Sequence, residues 1–122
     1  MTAYKSLEVW KRAMMIVKEV YLLTKSYPKE ELFSLTSQTR RAAISIPANI
    51  AEGIGRNFKK DTIQFLHVSR GSLYELETHL DIAVMVGLLD VEVYKPIETL
   101  IAEEYRLLNG LIKSYENRVE LK

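Results

Sequence analysis

Apolar and small residues recur in alternating steps of three and four through four separate stretches of this 122-residue chain, and that spacing confines it to helices. The longest run is unbroken: Leu66, Ser69, Leu73, Leu76, Leu80, Ala83 and Gly87 draw one line down a helix of 3.6 residues per turn. The first stretch carries two such lines. Leu7, Trp10, Met14, Val17, Tyr21 and Thr24 form one, and Val9, Ala13, Ile16, Val20 and Leu23 form a second beside it. An apolar face that wide exceeds what one neighbouring helix needs, so this helix is either deeply buried or shared between subunits, and the Val9, Trp10, Ala13, Ile16, Val20, Leu23 stripe is the candidate oligomer interface.

Local signals divide the helices. Tyr27-Pro28 ends the first, because proline lacks an N–H and disfavours the α region at the preceding residue. After a short amphipathic turn over Lys29 to Leu35, a second helix is predicted from about Leu35 to Ser37 as far as Gly55, with Ser34, Thr36 and Ser37 as candidate N-caps. Its inward residues are Ala42, Ile46, Ile50 and Gly53, Pro47 is expected to kink it, and Gly53 and Gly55 to stop it. The third helix is predicted from Phe58–Asp61 to Val86, with a tight helix crossing at Gly71-Ser72, an end at Gly87, and Asp90 as the next cap. In the fourth, Ile97, Ile101, Glu104, Leu108, Leu111 and Tyr115 share a stripe flanked by Leu100 and Leu107, and Pro96 marks its effective start or an early bend.

Short linkers between such helices favour antiparallel neighbours. The expected fold is therefore all-α, an up-down-up-down four-helix bundle with helix 2 kinked at Pro47, forming one domain over residues 1–122. With 48% hydrophobic residues, a chain this long can bury one substantial core.

The absence of cysteine excludes disulfides, thiolate metal sites and cysteine nucleophiles. With no apolar run of membrane-spanning length, a cytoplasmic location without membrane attachment is expected. The net charge of +1 conceals an asymmetry: residues 1–70 hold twelve Lys/Arg against six Asp/Glu, whereas residues 71–104 hold Lys95 against eight acids. A bundle built this way can set a basic surface opposite an acidic one.

Catalytic and metal-binding patterns are missing. A carboxylate-bridged dimetal site needs Glu-x-x-His on two helices, but Leu76 stands three residues before His79 and Gln64 three before His67. The two histidines, twelve residues apart, point about 120° from one another on a helix. Gly53-Ile54-Gly55 lacks the pattern of a phosphate-binding loop, and no serine sits in a nucleophile elbow. No enzyme activity, cofactor or metal is expected. Glu75 and His79 share a face at i,i+4, a spacing usual for a solvated contact.

Two sets of polar residues remain. Gln38, Ser45, Asn49 and Glu52 lie among small apolar residues of helix 2, and with Glu75 or Glu77 of helix 3 they are candidates for an internal hydrogen-bonded network. The same helix 2 residues, with Arg41, could instead form a surface for a partner or nucleic acid. Arg40, Arg41, Arg56, Lys59 and Lys60 are the candidate nucleic-acid-binding residues, although Arg40 and Arg41 lie at the far end of helix 2 from Arg56.

The segment from Ser37 to Gly53, SQTRRAAISIPANIAEG, followed by Gly55-Arg56, closely resembles the signature of the small four helix bundle protein family. That family is also described as proteins encoded in intervening sequences of 23S ribosomal RNA genes, or S23-type proteins. Gly71-Ser72-Leu73-Tyr74-Glu75-Leu76-Glu77 is similar to its second signature and Leu7-Glu8-Val9-Trp10 to its opening. The resemblance implies a four-helix bundle that commonly forms a homopentameric barrel without known catalytic activity. A related accessory protein of diversity-generating retroelements binds nucleic acid and partners a reverse transcriptase. Two readings follow. The first is a non-enzymatic homo-oligomer, a homopentamer by resemblance, associated with structured ribosomal RNA or with an RNA-handling, reverse-transcriptase-like protein. The second is a ring-forming assembly module that recruits an effector without binding nucleic acid.

Overall fold

A computed structural model describes residues 3–120, and among them there are four long helices and no strand. Helix α1 spans Glu8–Thr24, α2 Ser37–Ile54, α3 Lys59–Met85 and α4 Val91–Glu120. Each packs on its chain neighbours, and α4 closes against α1. Partners run in opposite order along α2 and α3: the Ser72 hydroxyl meets Ser45, Ser69 meets the Ile46 carbonyl, and Thr62 meets the Gly53 carbonyl. The same reversal links α3 to α4 through Arg70–Asn109, Glu77–Tyr105 and Asp81–Tyr94.

The α3 stripe expected from spacing is the core face, with Leu66, Ser69, Leu73, Leu76, Leu80 and Ala83 all fully buried. Facing it are Ala42, Ala43, Ile46 and Ile50 of α2 and Ile97, Ile101, Leu108 and Ile112 of α4. Each fully buried Leu or Ile contributes roughly 1.5–3 kcal/mol, so this shared interior is what holds the helices together.

Helix α1 corrects the expected oligomer interface. Val9, Ala13, Ile16, Val20 and Leu23 are buried in the chain's own core, and Trp10, half-buried, packs edge-on against Tyr4. The five buried side chains are therefore spent within the chain, and of the stripe only Trp10 keeps exposed surface. It is the parallel line that reaches solvent, with Met14 and Tyr21 exposed. Both lines have identical spacing, so periodicity alone could not say which one turns inward.

Three local expectations also change. Ser34, Thr36 and Ser37 do not cap α2, because the chain is already wound through a 3-10 turn at Lys29–Glu31 and a π turn at Leu32–Thr36. Gly71 meets nothing within 4 Å of an added Cβ, so it takes no part in a crossing; of the Gly71-Ser72 pair it is Ser72 that touches α2, through its hydroxyl's bond to Ser45. The close approach is at Gly53, where a Cβ would come within 2.8 Å of the Phe65 Cβ and 3.2 Å of the Thr62 carbonyl. Gly53 serves the α2–α3 contact more than the helix end, and the cap residue Gly55 keeps right-handed backbone, with φ −78°.

The turn between α3 and α4 uses glycine for conformation. Gly87, at φ +83°, is the one positive-φ residue among those described. Leu88 N–H returns to the Ala83 carbonyl at 2.8 Å and Gly87 N–H to Val84 at 3.1 Å, the paired bonds of a Schellman ending. Asp90 then caps α4, its carboxylate accepting the Glu92 N–H at 2.7 Å. Helix α4 starts at Val91, ahead of Pro96.

Candidate interaction surface along α2 and α3

Gln38, Arg41, Ser45, Asn49 and Glu52 repeat at steps of three and four, which brings them onto one line of α2. That line lies beside α3 at the edge of the core. Gln38, Arg41 and Glu52 are exposed and Ser45 and Asn49 half-buried. At its middle the Ser72 hydroxyl donates to Ser45 Oγ at 2.7 Å, and Asn49 Nδ2 donates to Ser45 Oγ and to the Ser45 carbonyl at 2.9 and 2.8 Å. These bonds flank Pro47, which has no N–H to complete its own turn of helix. The Ser69 hydroxyl, buried, donates to the next carbonyl, Ile46.

Toward the start of α2 the seam opens. Gln38 and Arg41 of α2 with Glu75 and His79 of α3 surround a shallow cavity of about 220 Å³. The exposed Glu75 and the half-buried His79 sit one turn apart, and His79 Nδ1 is shielded from solvent without a hydrogen-bond partner. A guanidinium, a carboxylate, an amide and an imidazole converge there. The set can exchange hydrogen bonds of both senses with a polar partner.

The expected network does not gather as one unit. Ser45, Asn49 and Ser72 form a cluster, while Glu52 reaches solvent and pairs with Arg56 at 3.4 Å, one turn on. Glu77 accepts the Tyr105 hydroxyl at 3.0 Å on the α3–α4 side. Residues two apart on a helix do not share a face, so Glu75 and Glu77 serve different neighbours.

The five basic candidates divide between the two ends of α2. Sixteen residues separate Arg40 from Arg56, about 24 Å at 1.5 Å per residue. Arg40 is held inside the chain, donating to Thr24 Oγ1 at 2.9 Å with its guanidinium 4.7 Å from the Tyr21 ring centre. Arg56 combines its Glu52 pair with a place over the Phe65 ring. Arg41 is the exposed member at the upper end. Lys59 and Lys60 join Phe58, which is 71% exposed, around an open cavity of about 320 Å³ at the lower end.

Two features had no clear sequence signal. One is the groove between α1 and α2 described below. The other is Glu104, a member of the α4 core stripe that is 0% exposed with neither carboxylate oxygen hydrogen-bonded. Burial pushes its pKa up to about 8, with Arg12 of α1 pulling it down and Glu103 adding to the rise. The hint was an acid in register between Ile101 and Leu108.

Among the described residues no helix is long and apolar enough to cross a membrane. No curated sequence matches the chain. A solved structure at TM-score 0.77 and 25% identity, covering 86% of this chain and 95% of its own, is a protein of unknown function from the S23 ribosomal protein family of Bacteroides thetaiotaomicron. Residues 5–110 match the profile described as 23S rRNA-intervening sequence protein. That span takes in all of α1, α2 and α3 and the whole α2–α3 seam, and the chain belongs to the 23S rRNA-intervening sequence protein family.

Proposed function

We propose that this chain is a non-catalytic assembly module, a helical bundle that associates with itself and offers the polar α2–α3 seam to a macromolecular partner. The observation that carries the reading is the seam itself. Gln38, Arg41, Glu75 and His79 converge at an open surface cavity; the first three lie inside the two segments, 37–53 and 71–77, that resemble the family signatures, and His79 follows two residues after the second. Groups of both charge signs meet there without a reactive nucleophile paired to a base, which suits recognition better than chemistry. Self-association is supported by large exposed apolar side chains, among them Phe33 and Met85. Light scattering at micromolar concentration tests it: a defined oligomer is expected, and a monomer at all concentrations contradicts the reading.

Association with RNA is the second reading, favoured by Phe58 standing exposed beside Lys59 and Lys60. An aromatic face next to lysines can stack a base while the cations meet phosphate. Labelled ribosomal RNA fragments titrated at several salt concentrations test it. Binding that weakens steeply with salt and is reduced by Phe58→Ala supports RNA, and no binding at low salt removes it.

A further inference from the structure

Where α1 ends and α2 begins, a groove of about 260 Å³ is lined by Thr24, Lys25, Tyr27, Lys29, Thr36 and Arg40, with no acid among its lining residues. Three of these six are cations, and Lys25 and Lys29 are exposed. None of the three enters the ion pairs among the described residues, which are Arg12–Glu8, Arg56–Glu52, Lys95–Glu92 and Arg106–Glu103. Glu31, the acid next to this segment, is engaged by the Ser34 hydroxyl at 2.9 Å.

Arg40 is held in one orientation. Its Nε donates to Thr24 Oγ1 at 2.9 Å, Thr24 Oγ1 donates onward to the Val20 carbonyl at 2.7 Å, and the Tyr21 ring backs the guanidinium at 4.7 Å. With Nε occupied, the two Nη groups are left to donate elsewhere. Two further donors stand in the same wall. Tyr27 and Thr36 are 7% and 3% exposed, and both hydroxyl oxygens are shielded from solvent without a hydrogen-bond partner. Burial pushes the Tyr27 hydroxyl pKa up to about 12, so it keeps its proton at neutral pH.

Cations beside the negative end of the α1 dipole are favourable in themselves. That accounts for charge at Lys25 and Arg40, but not for two buried hydroxyls left unbonded, which weaken a fold unless something else uses them. We propose that the groove binds a phosphate monoester, with Arg40, Lys25 and Lys29 meeting its charge and the Tyr27 and Thr36 hydroxyls donating to its oxygens. Such a group carries about −1.5 to −2 charges at pH 7 and three strong acceptor oxygens, which three cations and two hydroxyls match better than they match the single charge of a phosphodiester. Reaching the hydroxyls requires the exposed lysine side chains to shift, and their freedom from ion pairs allows it. The groove lies apart from the α2–α3 seam and from Phe58, so the inference stands independently of both functional readings.

The test is calorimetric titration of the full chain at low salt with inorganic phosphate, adenosine 5′-monophosphate and adenylyl-adenosine, which has a phosphodiester but no terminal phosphate. Backbone amide shifts locate the site. Variants are Lys25→Gln/Lys29→Gln, Tyr27→Phe and Thr36→Val. Saturable binding of phosphate and the monophosphate is expected, with shifts clustered in residues 24–40. Equal affinities assign free phosphate as the ligand, and a tighter monophosphate assigns a phosphorylated nucleoside. The double lysine variant should bind at least ten-fold more weakly. Tyr27→Phe and Thr36→Val should each bind several-fold more weakly yet melt at a higher temperature in phosphate-free buffer, because an unbonded hydroxyl is gone; a purely structural role would leave affinity unchanged. No saturable binding of phosphate or the monophosphate overturns the proposal, as do variants that all bind like the parent, which would leave the cations only the end of α1 to serve. Adenylyl-adenosine binding as tightly as the monophosphate overturns the monoester assignment.

Discussion

Replacing Glu104 with Gln is expected to flatten the pH dependence of stability and to raise stability at and above neutral pH. The carboxyl is fully buried without a partner, and its pKa is raised from 4.5 to about 8. Below pH 4.5 the group is protonated in folded and unfolded chains alike and costs nothing through ionisation. Between 4.5 and 8 the unfolded chain gives up the proton while the folded one keeps it, so unfolding gains about 1.4 kcal/mol per pH unit. Above 8 both states are ionised and the penalty levels off at about 5 kcal/mol, an order-of-magnitude ceiling. At pH 7 it is about 3 kcal/mol. Gln keeps the shape and removes the titration. Urea unfolding followed by circular dichroism at pH 5, 6, 7, 8 and 9 measures this directly. The parent should lose about 4 kcal/mol between pH 5 and 8 beyond any loss in Glu104→Gln. Parallel profiles, or a Gln variant less stable than the parent at pH 8, would refute the reasoning. Arg12→Ala offers an independent check. Removing the one cation that lowers the Glu104 pKa should move the levelling point to higher pH.

Two glycines of similar appearance should respond oppositely to alanine. Gly53→Ala forces a Cβ into Phe65 and the Thr62 backbone and should cost about 1–3 kcal/mol through overpacking, whereas Gly71→Ala meets open space and should gain up to about 1 kcal/mol. Denaturant midpoints distinguish them, and equal signs would contradict the packing argument. Asp90→Ala removes the side-chain bond to Glu92 N–H and should lower stability by about 1 kcal/mol. Asp90→Asn, which can still cap, should lose little, and equal losses in both would show that charge rather than capping matters there.

Four helices, the inward stripe of α3 and the Asp90 cap were legible because each depends on neighbouring residues in the chain. A three-four spacing defines a face wherever it occurs, and a carboxylate two residues before a free N–H can cap it without help from elsewhere. Family membership was legible for a related reason: its signatures are contiguous runs such as Ser37 to Gly53. The rest required tertiary packing. In α1 two equivalent stripes competed, and only the placement of the other helices turned Val9–Leu23 inward and left Met14 and Tyr21 outside. A glycine's small size permits a close crossing but cannot say which glycine has a neighbour: the inward Gly53 meets Phe65 and Thr62, whereas Gly71, expected at a crossing, meets open space. Glu75 and Glu77 looked alike in sequence and now face a surface cavity and Tyr105 respectively. The spacing of side chains along one helix sets their relative directions, whereas what each direction meets depends on residues far away in the chain.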